Sequence, residues 1–175
     1  MHSIGGEEDS VKFSKTRQIS YLAMFTLVAL GLSYLESLIP PLTSIPGIKI
    51  GLANLAVIFV LYKFGVKSAF VVSLTRVFIS FLLFGSVLSL AYSFSGAIFS
   101  ITVMSVMKKS EKFSEIGVSV AGATAHNIAQ ILVALLIFSV KEILLYLPVL
   151  IISAVISGIF IGVVGAITVR RIKIK

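Results

Sequence analysis

The chain reads as an all-α polytopic membrane protein: six transmembrane helices in one compact bundle, with both termini cytoplasmic. Three observations predict this. Of the 175 residues, 58% are hydrophobic and 13% charged, with a mean hydropathy of +1.11, whereas soluble domains carry about 25% charged residues. Apolar runs of spanning length, about 20 residues, follow one another along the chain. The basic residues fall between those runs on alternate sides. A water-soluble fold of this size cannot hide so much apolar surface, so lipid is the solvent for much of the molecule.

The spans are bounded by breakers. Residues 1–17 form a polar tail, expected to be disordered, that holds Glu7, Glu8 and Asp9 and lacks a signal-peptide pattern. Residues 18–175 form the single transmembrane domain. The first span runs from Ile19 to Leu38 and ends at Pro40-Pro41, which cannot continue a helix. A loop with Pro46-Gly47 follows, and a short second span from Ile50 to Phe64 closes on Gly65. Residues 67–107 are one apolar run of twice the spanning length whose single charge is Arg76; Gly85-Ser86 divides it into a third and a fourth span. After a charged loop, Lys108 to Glu115, the fifth span runs from Ile116 to Val140. Lys141-Glu142 interrupts the pattern, and the sixth span runs from Leu144 to Val169.

Cytoplasmic loops carry an excess of Lys and Arg. With the N-terminus inside, twelve of the fifteen basic residues fall on inner segments, Lys49 and Lys141 fall on outer loops, and Arg76 lies within the membrane. A wrong span count would scramble that alternation. The location implied is the plasma membrane.

Several activities are excluded. There is no cysteine, so thiolate catalysis and cysteine metal sites are absent. No phosphate loop is present, the sole aspartate is Asp9, and His2 and His126 are too few for a multi-histidine metal centre. No Ser-His-acid set is visible. Basic residues mark helix ends and are not interleaved with aromatics as in nucleic-acid binders, so no nucleic-acid partner is expected despite the net charge of +8. No enzyme activity and no cofactor are expected. The pattern is that of a protein that binds and moves something, with energy supplied elsewhere.

Lipid offers helices no hydrophobic reason to pair; small residues supply close approach instead. Ala121, Ala125 and Ala129 with Gly122 mark one such stripe, and Gly158 with Gly162 another. They predict packing inside the bundle or, alternatively, a docking face for another membrane subunit.

Ionisable and strongly polar groups within a membrane face a cavity or a partner. Glu36, Asn54, Arg76, His126, Asn127 and Gln130 all fall between the midplane and the outer surface on this span count, and the inner half is nearly all apolar. Lys49 lies in the outer loop. The asymmetry predicts a polar pocket opening outward, with these seven residues as candidate substrate contacts. Arg76 either pairs with Glu36 or lines the pocket, where a guanidinium meets a carboxylate or phosphate. His126 and Gln130, four apart, share a helix face. Each of them, like Asn127 and Asn54, could instead brace neighbouring helices.

Two stretches carry a family resemblance. Residues 45–54, Ile45-Pro-Gly-Ile-Lys-Ile-Gly-Leu-Ala-Asn54, resemble the signature between the first two spans of the Gx transporter family. Residues 117–130, from Gly117 through His126-Asn127 to Gln130, resemble its fifth-span signature. Arg76, Phe84-Gly85, Ser95-Gly96 and Tyr146 to Leu150 match as well. That family is often labelled heptaprenyl diphosphate synthase component I, and it resembles the substrate-binding S components of energy-coupling factor (ECF) uptake transporters.

The resemblance implies a substrate-binding subunit for a small vitamin-like or other organic metabolite. Its implied partners are a coupling membrane subunit and ATPase subunits. Residues Pro40 to Lys49 would form an outer lid, and Arg76 would favour an anionic cargo. Many S components dock through an A-x-x-x-A pattern on the first helix; here the small pair is Ala29 and Ser33. The alternative is a membrane accessory subunit of a polyprenyl diphosphate synthase with no catalytic residues of its own.

Overall fold

In the computed structural model, residues 15–38, 51–139 and 141–172 are described. The chain is helical over most of its described residues, but in five long helices and not six. Five helices are long and apolar enough to cross a membrane: α1 (Lys15–Leu38), α2 (Ala53–Phe84), α3 (Val87–Lys109), α4 (Glu115–Phe138) and α5 (Leu147–Arg171). A 3-10 turn, Lys141–Tyr146, precedes α5, whose first turn holds Pro148. Proline suits that place because its missing N–H would be unsatisfied anyway. Among the described residues there is no strand. Helix α1 begins at Lys15, a turn before the apolar run itself.

The sequence predicts six separate helices, and the second and third are instead one element of 32 residues, α2. Its helical geometry is interrupted at Gly65, with φ 84° and ψ 178°. A straight helix would set Asn54 and Phe81 about 40 Å apart, yet both line a single cavity. The contacts with α1 explain how. Phe25 packs on Phe59, and Tyr21 and Phe25 pack on Phe64. Beyond Gly65 the order reverses: Gln18 bonds Ser68, and Ser33 bonds Arg76. The chain therefore folds back on itself at Gly65, giving a first arm, Ala53–Phe64, and a second, Val66–Phe84.

The first arm is the centre of the molecule. Ala56 to Leu61 are all buried, and α1, α3 and α5 pack around α2. A helix that is apolar on every side belongs in such a place. The arm is only about 18 Å long, short of the roughly 30 Å hydrocarbon core. Non-helical backbone at membrane depth is tolerated where protein or a cavity encloses it. Here the Glu36 carboxylate accepts from the Gly51 N–H, and Gly51 takes a positive φ of 77°. The carboxylate also sits favourably against the positive end of the α2 dipole.

Small residues seat α5 on α4. A Cβ on Gly158 would lie 2.7 Å from the Val120 Cα, and one on Gly162 would lie 2.8 Å from the Ile116 Cα. The Gly158/Gly162 pair is thus taken up by packing within the bundle. So is the Ala29/Ser33 pair, because Ala29 is fully buried and Ser33 bonds Arg76.

Cations gather at one end, called the basic end below. Lys108 there donates from Nζ to the Leu61 carbonyl at 2.9 Å and lies over the Tyr62 ring, closing the first arm at its C-terminal end. Arg170 and Glu115 form an ion pair at 3.1 Å that ties α5 to α4; both partners reach solvent, so it adds little stability. Much of the outer surface is apolar, with Leu82, Leu83, Val106, Ile152 and Ile156 more than half exposed, as lipid-facing side chains are.

Backbone near φ 84° and ψ 178° is essentially restricted to glycine and costs another residue about 1–3 kcal/mol. Gly65→Ala is expected to lower unfolding stability in micelles by that amount, although a Cβ there would meet no atom within 4 Å. Gly31→Ala, in open space within α1, is expected to be neutral or to add up to about 1 kcal/mol. Equal effects at both glycines would contradict the fold-back.

Candidate functional site

A cavity of about 230 Å³ lies inside the bundle. Its lining includes Glu36, Asn54, Arg76, His126, Asn127 and Gln130, drawn from α1, both arms of α2, and α4. Six of the seven candidate residues are thereby brought together. Lys49, like the rest of the expected lid Pro40 to Lys49, lies outside the described residues.

Each polar side chain is held by a specific neighbour. Arg76 donates from Nη1 to the Ser33 Oγ at 2.9 Å. It forms no ion pair with Glu36, whose carboxylate is engaged by the Gly51 N–H. Arg76 thus lines the cavity without a direct ion pair to Glu36. Asn127 donates from Nδ2 to the Leu150 carbonyl at 2.8 Å, so it braces α4 on α5 while also lining the cavity. The Gln130 amide nitrogen and the His126 Nε2 are 3.1 Å apart, as the shared face predicts. Asn54 lies in the turn that opens α2, its N–H bonded to the Gly51 carbonyl at 2.8 Å.

His126 owes its position to a glycine. A Cβ on Gly96 would come within 2.5–2.7 Å of three atoms of the imidazole ring. Only a residue without a side chain lets the ring lie against α3. The Gly122 position is similar, since a Cβ there would meet Met104 at 2.5 Å.

Two features were not legible beforehand. Serines from all five helices supply much of the polar lining: Ser33, Ser37, Ser80, Ser89, Ser93, Ser100, Ser119 and Ser157. Serine is so common in membrane helices that none of them is conspicuous in the sequence. The cavity is also deeper than expected. It follows α3 from Ser89 to Met104, about 22 Å, and meets α4 as far down as Ser119, four residues from its basic end. The expectation of a nearly apolar inner half is corrected accordingly: Ser100, Ser105 and Ser119 are all buried in that direction. Ser105 satisfies itself by bonding the Ile101 carbonyl.

Three polar atoms in the cavity wall are left over. Arg76 Nε, Ser80 Oγ and Ser100 Oγ are buried with no hydrogen-bond partner among the described residues. Each such atom costs about 1–3 kcal/mol unless something supplies a partner. Arg76, Ser80 and Ser100 all line the cavity, so its wall contains hydrogen-bonding groups that the described protein leaves uncompensated. Among the described residues no three His, Cys, Asp or Glu side chains gather as a metal site.

Gly96→Ala is expected to displace the His126 ring and cost about 1–3 kcal/mol, as overpacking does. Gly117→Ala is the control: the nearest atom to its Cβ would be 3.7 Å away, and the expected change is within about 0.5 kcal/mol. Unfolding in detergent checks both.

Comparison with known proteins adds one finding. No curated protein and no solved structure matches the chain. A family profile does, that of Heptaprenyl diphosphate synthase component I, and the match runs from residue 25 to residue 168. This covers most of the chain, including both arms of α2 and every described candidate residue, and so the protein belongs to the heptaprenyl diphosphate synthase component I family.

Proposed function

We propose that this chain is the substrate-binding subunit of an ECF-type uptake transporter, taking up a small organic metabolite from outside the cell. The observation that carries the reading is the cavity. A lipid-embedded bundle encloses a polar space lined by Arg76, Glu36, His126, Asn127, Gln130 and Asn54. Buried polar and charged groups in a membrane are costly and mark pathways or ligand sites. A purely structural bundle would have no use for a cavity whose wall leaves Arg76 Nε unsatisfied.

The orientation belongs to the same reading. The fold-back at Gly65 supports six crossings, because each arm of α2 then counts as one. The rule that basic residues stay inside assigns the basic end to the cytoplasm, and with it both termini, in the plasma membrane. The end of the cavity lined by Glu36, Gly51 and Gly85 then lies toward the outside, and the segment Pro40 to Lys49, with Lys49 as a further contact, would serve as its lid. The chain has no catalytic role in this account. The energy comes from ATPase subunits acting through a coupling membrane subunit.

The family description favours a second reading, a membrane-associated component of heptaprenyl diphosphate synthase. In that case the chain would hold or position a soluble prenyltransferase. The serine-rich lining speaks against the cavity itself holding the prenyl chain, since an apolar guest would strip water from those hydroxyls and return no hydrogen bonds.

Affinity purification from gently solubilised membranes separates the two. Uptake predicts ATPase and coupling subunits in the eluate, and Arg76→Ala is expected to lower substrate uptake at least tenfold. Recovery of a prenyltransferase in their place, with uptake unchanged by Arg76→Ala, would establish the second reading.

A further inference from the structure

Resting on the binding reading above, we infer that the guest is a zwitterion of amino-acid size, its carboxylate at Arg76 and its ammonium group at Glu36. The wall of the cavity carries one full positive charge and one full negative charge, and these two do not neutralise each other by contact. Arg76 is anchored through Nη1 to Ser33 and lines the cavity, with its Nε buried and without a hydrogen-bond partner among the described residues. Glu36 uses one oxygen, Oε1, on the Gly51 N–H and has no ion-pair partner among the described residues. Ser33 and Glu36 are three residues apart, so the two charged groups sit about one helical turn apart along one face of α1. That is the spacing an amino-carboxylate can bridge.

Charge balance narrows the guest further. A simple anion would satisfy Arg76 and be repelled by Glu36; a simple cation would do the reverse. A neutral guest would leave the two charges with only each other, a helical turn apart and without direct contact, which compensates their burial poorly. A zwitterion matches both. Ser80, which lines the cavity and whose Oγ has no hydrogen-bond partner among the described residues, is one turn from Arg76 on the second arm and would supply a further donor to the carboxylate after a small rotation. Size and lining agree. A volume of about 230 Å³ is below the roughly 300–1,000 Å³ of sites for drug-sized ligands. Phe81 and the His126 imidazole are the two aromatic rings in the described lining, and His126 is held against Gly96, so a large flat ring system would find few stacking partners.

The purified full chain is equilibrated with two samples and retained species are identified by mass. One sample is an equimolar mixture of the standard amino acids, their N-acetyl derivatives and their amides; the other is a polar-metabolite extract of whole cells. The expected result is retention of species bearing both a carboxylate and an ammonium group. Derivatives lacking either charge should be retained about tenfold less or worse, equivalent to about 1.4 kcal/mol. Glu36→Gln should narrow the gap for N-acetyl derivatives and Arg76→Gln for amides, a crossed pattern that simple misfolding does not produce. Retention of only net anions, net cations or uncharged molecules would overturn the zwitterion and leave the binding role standing. Retention of nothing from either sample would overturn the binding role itself.

Discussion

A guanidinium enclosed within a lipid-embedded bundle is the constraint around which the rest is arranged. Moving an ion from water into a low-dielectric interior costs several kcal/mol even after relaxation. Arg76 cannot meet that cost through an ion pair, because none of the described acids contacts it. What the fold supplies is a polar enclosure: the Ser33 hydroxyl at 2.9 Å, a wall rich in serines, and Glu36 nearby along the same helix face. This partial compensation keeps the charge in place and leaves some of its hydrogen-bonding capacity unspent. Capacity of that kind, held open at the cost of stability, is how binding sites differ from structural polar networks.

The enclosure exists because glycines allow helices and turns to come where side chains would forbid them. Gly65 turns the chain back so that Asn54 and Arg76 come from opposing arms. Gly96 gives the His126 ring its seat, and Gly158 and Gly162 bring α5 onto the α4 backbone. The first arm, apolar all round and buried from Ala56 to Leu61, fills the centre, which is why it can be too short to span on its own. Met104 and Ser119 mark how far the cavity reaches toward the basic end. The packing that makes the bundle tight and the gaps that make it hollow therefore come from the same small residues.

Much of this was legible in the amino-acid sequence, for physical reasons. Span positions follow from hydropathy, and the polar candidates follow from the cost of burying them, so Glu36, Asn54, Arg76, His126, Asn127 and Gln130 could be named before any geometry was known. The i,i+4 relation of His126 and Gln130 appears as a direct contact. Other features were not readable. A hydropathy profile records Gly65 as a boundary, but it carries no information on φ, and so the joined 32-residue element with a sharp reversal was missed. Serines bond their own helix carbonyls as readily as they line a cavity, as Thr26 and Ser105 also do, so Ser80 and Ser100 have no sequence mark. Whether Arg76 meets Glu36 depended on side-chain reach across helices, which spacing alone does not give.

Because the chain contains no cysteine, a single introduced thiol reports accessibility without background. The most direct measurement is labelling of Ser93→Cys, a half-buried cavity-lining position, in intact cells by a membrane-impermeant thiol reagent, with Val106→Cys, on the lipid-facing side of α3, as the unreactive reference. A polar cavity open to the outside predicts that Ser93→Cys is labelled from the external face and Val106→Cys is not. Labelling of Ser93→Cys only from the cytoplasmic face, or from neither, would contradict an outward-opening binding cavity.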